Sequence, residues 1–311
     1  GWRIVARKEF ADHIHSVRFI ILVVLVALAG LASVHSASGP IRDAAGAATD
    51  VPSIFLYLFT LAPERVPAFH EFLATLGPLL GIAFGFDAVN GERSQRTLPR
   101  LVAQPIHRDE VINGKFVAGL GAIALALAAV MAVVVSYGML RLGVGPTTSD
   151  AVRMVAFFAV AIVYVALWLA LATVLSVLTR RAATAALASI AVWLVFTLFG
   201  GLIAGLVADT VHPVHSAATT EEVLANARLE LNVRRISPSQ LYQEATGVLL
   251  NPSRQTTGLV VEDTTSQALP STLSLSESLV LAWWQVSALV GGVVVLFAVA
   301  YASFMRQEVR A

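Results

Sequence analysis

Residues 91–115 read GERSQRTLPRLVAQPIHRDEVINGK, with five basic side chains (Arg93, Arg96, Arg100, Arg108, Lys115) and three acidic ones (Glu92, Asp109, Glu110). The whole chain is only 13% charged, and apolar runs stand on both sides of this stretch. A soluble domain would be about half apolar and a quarter charged. This chain of 311 residues is 57% hydrophobic, with a mean hydropathy of +0.77. Most of it therefore belongs in lipid, and the charged stretch reads as a connection between two membrane spans.

A spanning helix needs about 20 mostly apolar residues. Runs free of Asp, Glu, Lys and Arg occur at 19–41, 116–140, 154–179, 182–208 and 278–305. A sixth run, 72–86, is shorter and lies between Glu71 and Asp87. The expected architecture is an all-α membrane protein with six spans. The first run is too long, and preceded by too much charged sequence, for a cleaved signal peptide.

Basic residues mark the cytoplasmic side. With six spans, one side collects Arg3, Arg7, Lys8, Arg18, the five basic residues of 91–115, Arg180, Arg181, Arg306 and Arg310. The short loops of the other side hold only Arg42, Arg65, Arg141 and Arg153. Both termini and the charged stretch are thus expected in the cytoplasm, in a multi-pass protein of a prokaryotic plasma membrane.

The chain reads as a single permease-like transmembrane domain over 1–311. In residues 1–17, Trp2, Ala6, Phe10 and Ile14 recur every fourth position, as in a helix lying in the membrane interface. Residues 87–115 form the cytoplasmic connection. Residues 209–277 are the one large extramembrane piece. There, Thr219 with Glu222, and Ser237 ahead of Pro238, look like helix starts, and Asn251-Pro252 looks like a stop.

The second span carries Gly77, Gly81 and Gly85 at GxxxG spacing, with Pro78 beside the first. Small residues so spaced let two helix backbones approach closely, and Pro78 frees a carbonyl and favours a bend. This stripe is expected to serve helix packing or a hinge. Gly201 and Gly205 repeat the pattern more weakly.

A search for chemistry excludes several classes. Gly114-Lys115 is no phosphate loop: Asp109 stands where the first glycine is needed, and Phe116 where Ser or Thr is needed. None of the seven histidines lies in an HExxH, and no GxSxG nucleophile turn is present. Asp209, His212 and His215 are a weak candidate metal set, and no metal site is expected. No catalytic residue and no cofactor are expected in this chain. A net charge of +1 gives nucleic acid no basic face to bind. There are no cysteines, hence no disulfide or thiolate chemistry. Five of the six expected spans carry no Asp, Glu, Lys or Arg and Asp87 stands at the cytoplasmic end of the other, so a proton relay through the membrane is not expected either.

These residues resemble permease subunits of type-2 class ABC exporters. In that family a charged connection between spans two and three runs acidic, then Gly-Glu, Thr-Leu, Pro-x-x-Arg and Gly-Lys. The corresponding residues here are Asp87, Gly91-Glu92, Thr97-Leu98, Pro105, Arg108 and Gly114-Lys115. The stretches ARKEFAD (6–12), TRRAATAAL (179–187) and SPSQLYQEAT (237–246) are similar to the subgroup that includes the nitrous oxide reductase maturation permease. The chain departs from the pattern at Arg96, where the family commonly has Gly, and at Pro99, which cannot lie inside a continuous helix.

The resemblance implies that the connection is a coupling helix seated in a groove of a separate ATPase. Its expected contacts are Glu92, Arg93, Arg96, Arg100, Pro105 and Arg108. On a helical wheel Arg93, Arg96 and Arg100 fall within about 60°, opposite Leu98, Leu101 and Val102, a pattern equally suited to anionic lipid. The implied partners are two ABC ATPase subunits, which bind ATP and Mg, and a second permease copy or a paralogue. The bilayer and an extracytoplasmic protein complete the list. An apolar path would favour a lipid, amphipathic peptide or other apolar substrate. The alternatives are an intramembrane enzyme using 209–277, and an ATPase-driven anchor that transmits force without transport.

Overall fold

The computed structural model describes residues 1–47, 53–63, 66–91, 107–215, 219–258 and 272–306. Every regular element among them is helical. In chain order these are α1 (Trp2–Ile14), α2 (Val17–Ala47), a 3₁₀ turn (Ile54–Leu56), α3 (Tyr57–Thr60), α4 (Phe69–Gly85), α5 (Arg108–Leu142) and α6 (Thr148–Leu178). Then come α7 (Ala182–Leu194), a π-turn (Val195–Phe199), α8 (Gly200–Val211), α9 (Thr220–Arg234), α10 (Pro238–Leu250) and α11 (Leu275–Arg306).

Five helical stretches are long and apolar enough to cross a membrane: Val17–Ala44, α5, α6, α7 through α8, and α11. The sixth expected span is α4, only 17 residues long. At 1.5 Å per residue it reaches about 26 Å, short of a hydrocarbon core of about 30 Å. Its position explains the shortness. Leu73, Ala74, Leu80, Ile82 and Phe84 are all buried, so α4 is solvated by protein rather than by lipid. The 3₁₀ turn and α3 sit above it, with Phe55, Leu56, Leu58 and Phe59 all buried. His70 Nδ1 lies 2.9 Å from the Phe59 carbonyl oxygen and ties the two pieces together.

α6 is the most enclosed of the long apolar helices and α7–α8 the least. The core forms where α6 meets α4, α10 and α11. An aromatic seam runs through it: Phe59, Phe69 and Phe157 pack together, and Tyr164 stacks on Tyr242 at 4.5 Å. The Tyr164 hydroxyl donates to the Ala74 carbonyl at 2.5 Å, so the buried ring carries no unmet donor.

α9 and α10 follow one another through a tight turn, a helix–turn–helix unit called the hairpin here, with α9 packed on α8 and α10 on α11 and α6. Near its start, Asn226 Nδ2 donates to Asp209 Oδ1 (3.0 Å) and to the His212 carbonyl (2.8 Å). Near the end of α9, Arg234 lies over Gly201, so α9 runs back along α8. α10 then returns against α11, where almost every residue from Leu241 to Leu250 is buried. Reciprocal bonds between Thr219 and Glu222 start α9, and Pro238 occupies the first turn of α10. The expected extramembrane piece is thus partly a plug in the bundle. This hairpin end of the bundle lies opposite the segment end, where α4 leaves for residues 92–106 and α5 begins.

Within α1 Val5 is buried against α5, while Trp2 is 41% exposed. One sequence expectation needs correction. Arg153, counted with a short loop, lies inside α6 and is buried.

Candidate functional site

Of the expected contact residues, Glu92, Arg93, Arg96, Arg100 and Pro105 lie outside the described residues, as does Pro99. Arg108 opens α5. What the structure defines is the base from which the segment departs and to which it returns.

The departing stem is fastened to α6. Val89 N and Asn90 N both donate to Ser176 Oγ, at 3.1 and 3.2 Å, and Asn90 Nδ2 donates to Thr179 Oγ1 at 3.0 Å. Asn90 is wholly buried, so these bonds replace water rather than compete with it. Val89 inserts into a small apolar cluster with Val174 and Val177 of α6, Ala300 and Phe304 of α11, and Ile112 of α5. The returning stem begins with Glu110, whose Oε2 accepts from His107 N at 3.3 Å and so satisfies one orphan donor of the α5 start. Because Ile112 and Val89 share one cluster, both stems rest on the same foundation.

A cleft of about 250 Å³ opens beside this foundation, lined by α1, the start of α2, the end of α4 and Lys115. Its charges are arranged in pairs. Arg18 Nη1 donates to Asp87 Oδ2 at 2.6 Å, and the guanidinium also lies 5.1 Å from the Phe86 ring. Lys115 Nζ meets Glu9 Oε2 at 3.0 Å with both side chains largely buried. His13 stands edge-on to Phe84 at 5.1 Å. Burial pushes its imidazole below the ordinary value, against the pull of Glu9 and Asp87.

Gly114-Lys115 has a structural use. A Cβ at Gly114 would approach the Trp2 carbonyl oxygen to 2.9 Å and Val5 Cβ to 2.8 Å. Glycine there lets α1 lie against α5, and the Lys115–Glu9 pair closes the contact one residue on.

The glycines of α4 face α6. A Cβ at Gly81 would meet the Val165 carbonyl oxygen at 2.4 Å and the Leu169 nitrogen at 2.8 Å. At Gly85 it would meet the Leu169 carbonyl oxygen at 2.7 Å, while Gly77 faces the Val165 side chain at 3.1 Å. Pro78 is buried within a continuous α4. On α8 the weaker repeat is different: Gly205 has open space around it, and Gly201 meets only the end of Arg234.

The hairpin end holds polar residues that sequence reasoning did not single out. Glu244 of α10 is buried. Its oxygens lie 3.0 Å from Arg235 Nε and accept from Gln240 (3.1 Å) and from Gln285 of α11 (3.0 Å). Arg235 also covers the Trp284 ring at 5.2 Å. Arg153 donates to the Leu249 carbonyl (3.0 Å), to Ser278 Oγ (3.1 Å) and to the Leu273 carbonyl, joining α6 to the end of α10 and the start of α11. Glu244 at position i+4 from Gln240 was the only local signal for this network. Arg235 lies nine residues back at the end of α9, and Gln285 comes from α11.

Among the described residues no three His, Asp or Glu side chains converge as metal ligands. The site is a mechanical seat: two stems fixed on one apolar foundation, with paired charges in the cleft beside it.

A charge-poor bundle with five membrane-length helices among the described residues defines a multi-pass membrane protein. The chain matches the ABC-2 family transporter proteins over residues 3–309, nearly its whole length, and belongs to that family. No curated protein matches it.

Proposed function

We propose that the chain is the permease subunit of an ABC exporter, energised by two separate ATPase subunits that dock on residues 92–108. It would work with a second permease copy or a paralogue, both termini and the segment being cytoplasmic and α4 serving as the sixth span. The observation that supports this best is the seating of the two stems. Val89 and Ile112 share one apolar cluster with α6 and α11, and Asn90 is hydrogen-bonded to the end of α6. A load applied to the segment would pass into those helices instead of being lost in a slack loop. Close packing is what allows a small displacement at one site to move whole helices.

The cargo we infer is apolar or amphipathic, because most spans carry no charge at mid-length and no ion relay is evident. The likeness to the nitrous oxide maturation subgroup is one of layout and carries no particular cargo to this chain.

Gentle purification of the tagged protein from native membranes tests the reading. A co-purifying ATPase with vanadate-sensitive hydrolysis is expected, and Arg100→Glu or Glu92→Lys should lower its retention or its activity with the permease still inserted. Permease recovered without any ATPase would sink the proposal. An ATPase that no apolar compound stimulates would favour force transmission over transport.

A further inference from the structure

At the hairpin end, α2 and α5 enclose a groove of about 420 Å³ lined by Leu31, Ala132, Val133, Ser136, Tyr137 and Leu140. Its floor is made of small residues one turn apart, Ala132 and Ser136. Its walls change character along their length. On α5 the row at i+4 spacing runs Val133, Tyr137, Arg141; on α2 it runs Leu31, His35. The groove is therefore lined mainly by apolar side chains, with His35 and Arg141 one helical turn beyond it on α2 and α5.

That end of the groove is built. Tyr137 Oη and His35 Nδ1 lie 2.8 Å apart, with their rings stacked at 6.4 Å. Arg141 Nε donates to the buried Ser38 Oγ at 3.1 Å, which fixes the guanidinium between α5 and α2, next to the lining Leu140 and one turn beyond the lining Tyr137. Among the described residues no carboxylate pairs with Arg141. Its neighbours on the same turn, Met139 and Leu140, are exposed, and Leu140 is 83% exposed. By helix length Arg141 stands at a membrane surface, since the apolar run 116–140 spans about 38 Å at 1.5 Å per residue.

We propose that this groove is a binding site for one anionic phospholipid, an acyl chain lying along Leu31, Ala132 and Val133 and the phosphate held by Arg141. Both ends of the ligand are met: apolar wall by hydrocarbon, and a fixed cation with no carboxylate partner among the described residues by a negative headgroup. A guanidinium matches phosphate geometry with paired donors. Lipid is also the medium that surrounds this face. The site does not depend on the ATPase reading.

The test uses the full chain in nanodiscs of phosphatidylcholine containing about one tenth phosphatidylglycerol, followed by native mass spectrometry of the released protein. One phosphatidylglycerol per chain should be retained in preference to phosphatidylcholine. Arg141→Gln should cut that retention about fivefold, the factor one basic residue contributes at an anionic surface. Ala132→Trp, which fills the groove floor, should cut it as far. Arg42→Gln, an exposed basic residue of α2 outside the groove, should leave it unchanged. Equal retention of both lipids, or wild-type retention by Arg141→Gln, overturns the site. So does a lipid-free dimer, which would mean that a second copy fills the groove.

Discussion

Gly81 shows what one missing methyl group does in this chain. Its Cα faces the backbone of α6, so an added Cβ has nothing flexible to push aside. Gly81→Ala should lower stability by about 1–3 kcal/mol, the usual effect of overpacking. Gly205 is glycine in a helix with open space around it, and Gly205→Ala should be neutral or stabilising by up to about 1 kcal/mol. Thermal melts in detergent compare the two, and equal shifts would contradict the contact. The spacing of Gly77, Gly81 and Gly85 was legible in the sequence, whereas the difference from Gly201 and Gly205 was not. GxxxG spacing says that a helix can be approached, and only the neighbours say whether it is. His13 gives a second residue-scale expectation. Its folded-state affinity for a proton is lowered by burial, so the unfolded chain takes up the proton first. Its contribution to stability is full above the ordinary pKa of 6.5 and declines as pH falls from there toward the lowered folded value. His13→Gln should flatten the acid side of a melting-temperature profile between about pH 7.5 and 5.5.

At the scale of elements, α10 is the piece that composition concealed. It carries Glu244, Gln240 and Gln243 and was expected as part of an extramembrane segment, yet it packs between α6 and α11. The burial is tolerated because Arg235, Gln240 and Gln285 satisfy the carboxylate together. Removing one partner of a buried charged pair leaves the other uncompensated, which typically costs about 3–5 kcal/mol. Arg235→Met should therefore raise hydrogen exchange across α10 strongly, and Arg235→Met with Glu244→Gln should return it most of the way. Exchange in the double variant as fast as in the single one would show that the pair is not what holds the hairpin. Arg153 acts at the other end of the same helix by satisfying the Leu249 carbonyl, one of the orphan acceptors of a helix terminus. Arg153→Leu should loosen the end of α10 and the start of α11 together.

For the whole molecule the open quantity is sidedness. With α4 as a sixth span, residues 92–106 would lie on the side of both termini. The chain has no cysteine, so single cysteines report topology without background. Arg96→Cys and Arg306→Cys should be shielded from an impermeant maleimide in intact cells, and Ser253→Cys should react. Labelling of Arg96→Cys in cells where Lys8→Cys stays shielded would mean that α4 does not cross.

By itself the sequence determined the membrane class, the five long helices, the starts of α9 and α10 and the position of the charged segment. These follow from hydropathy and from caps, which act over one or two turns. Tertiary structure alone decided that the short α4 is sheathed in protein, that Val89 and Ile112 meet, that Arg153 is buried, and that Gly114-Lys115 seats α1. Each of those depends on which distant helix supplies the neighbour, and a residue's own identity and spacing do not carry that information.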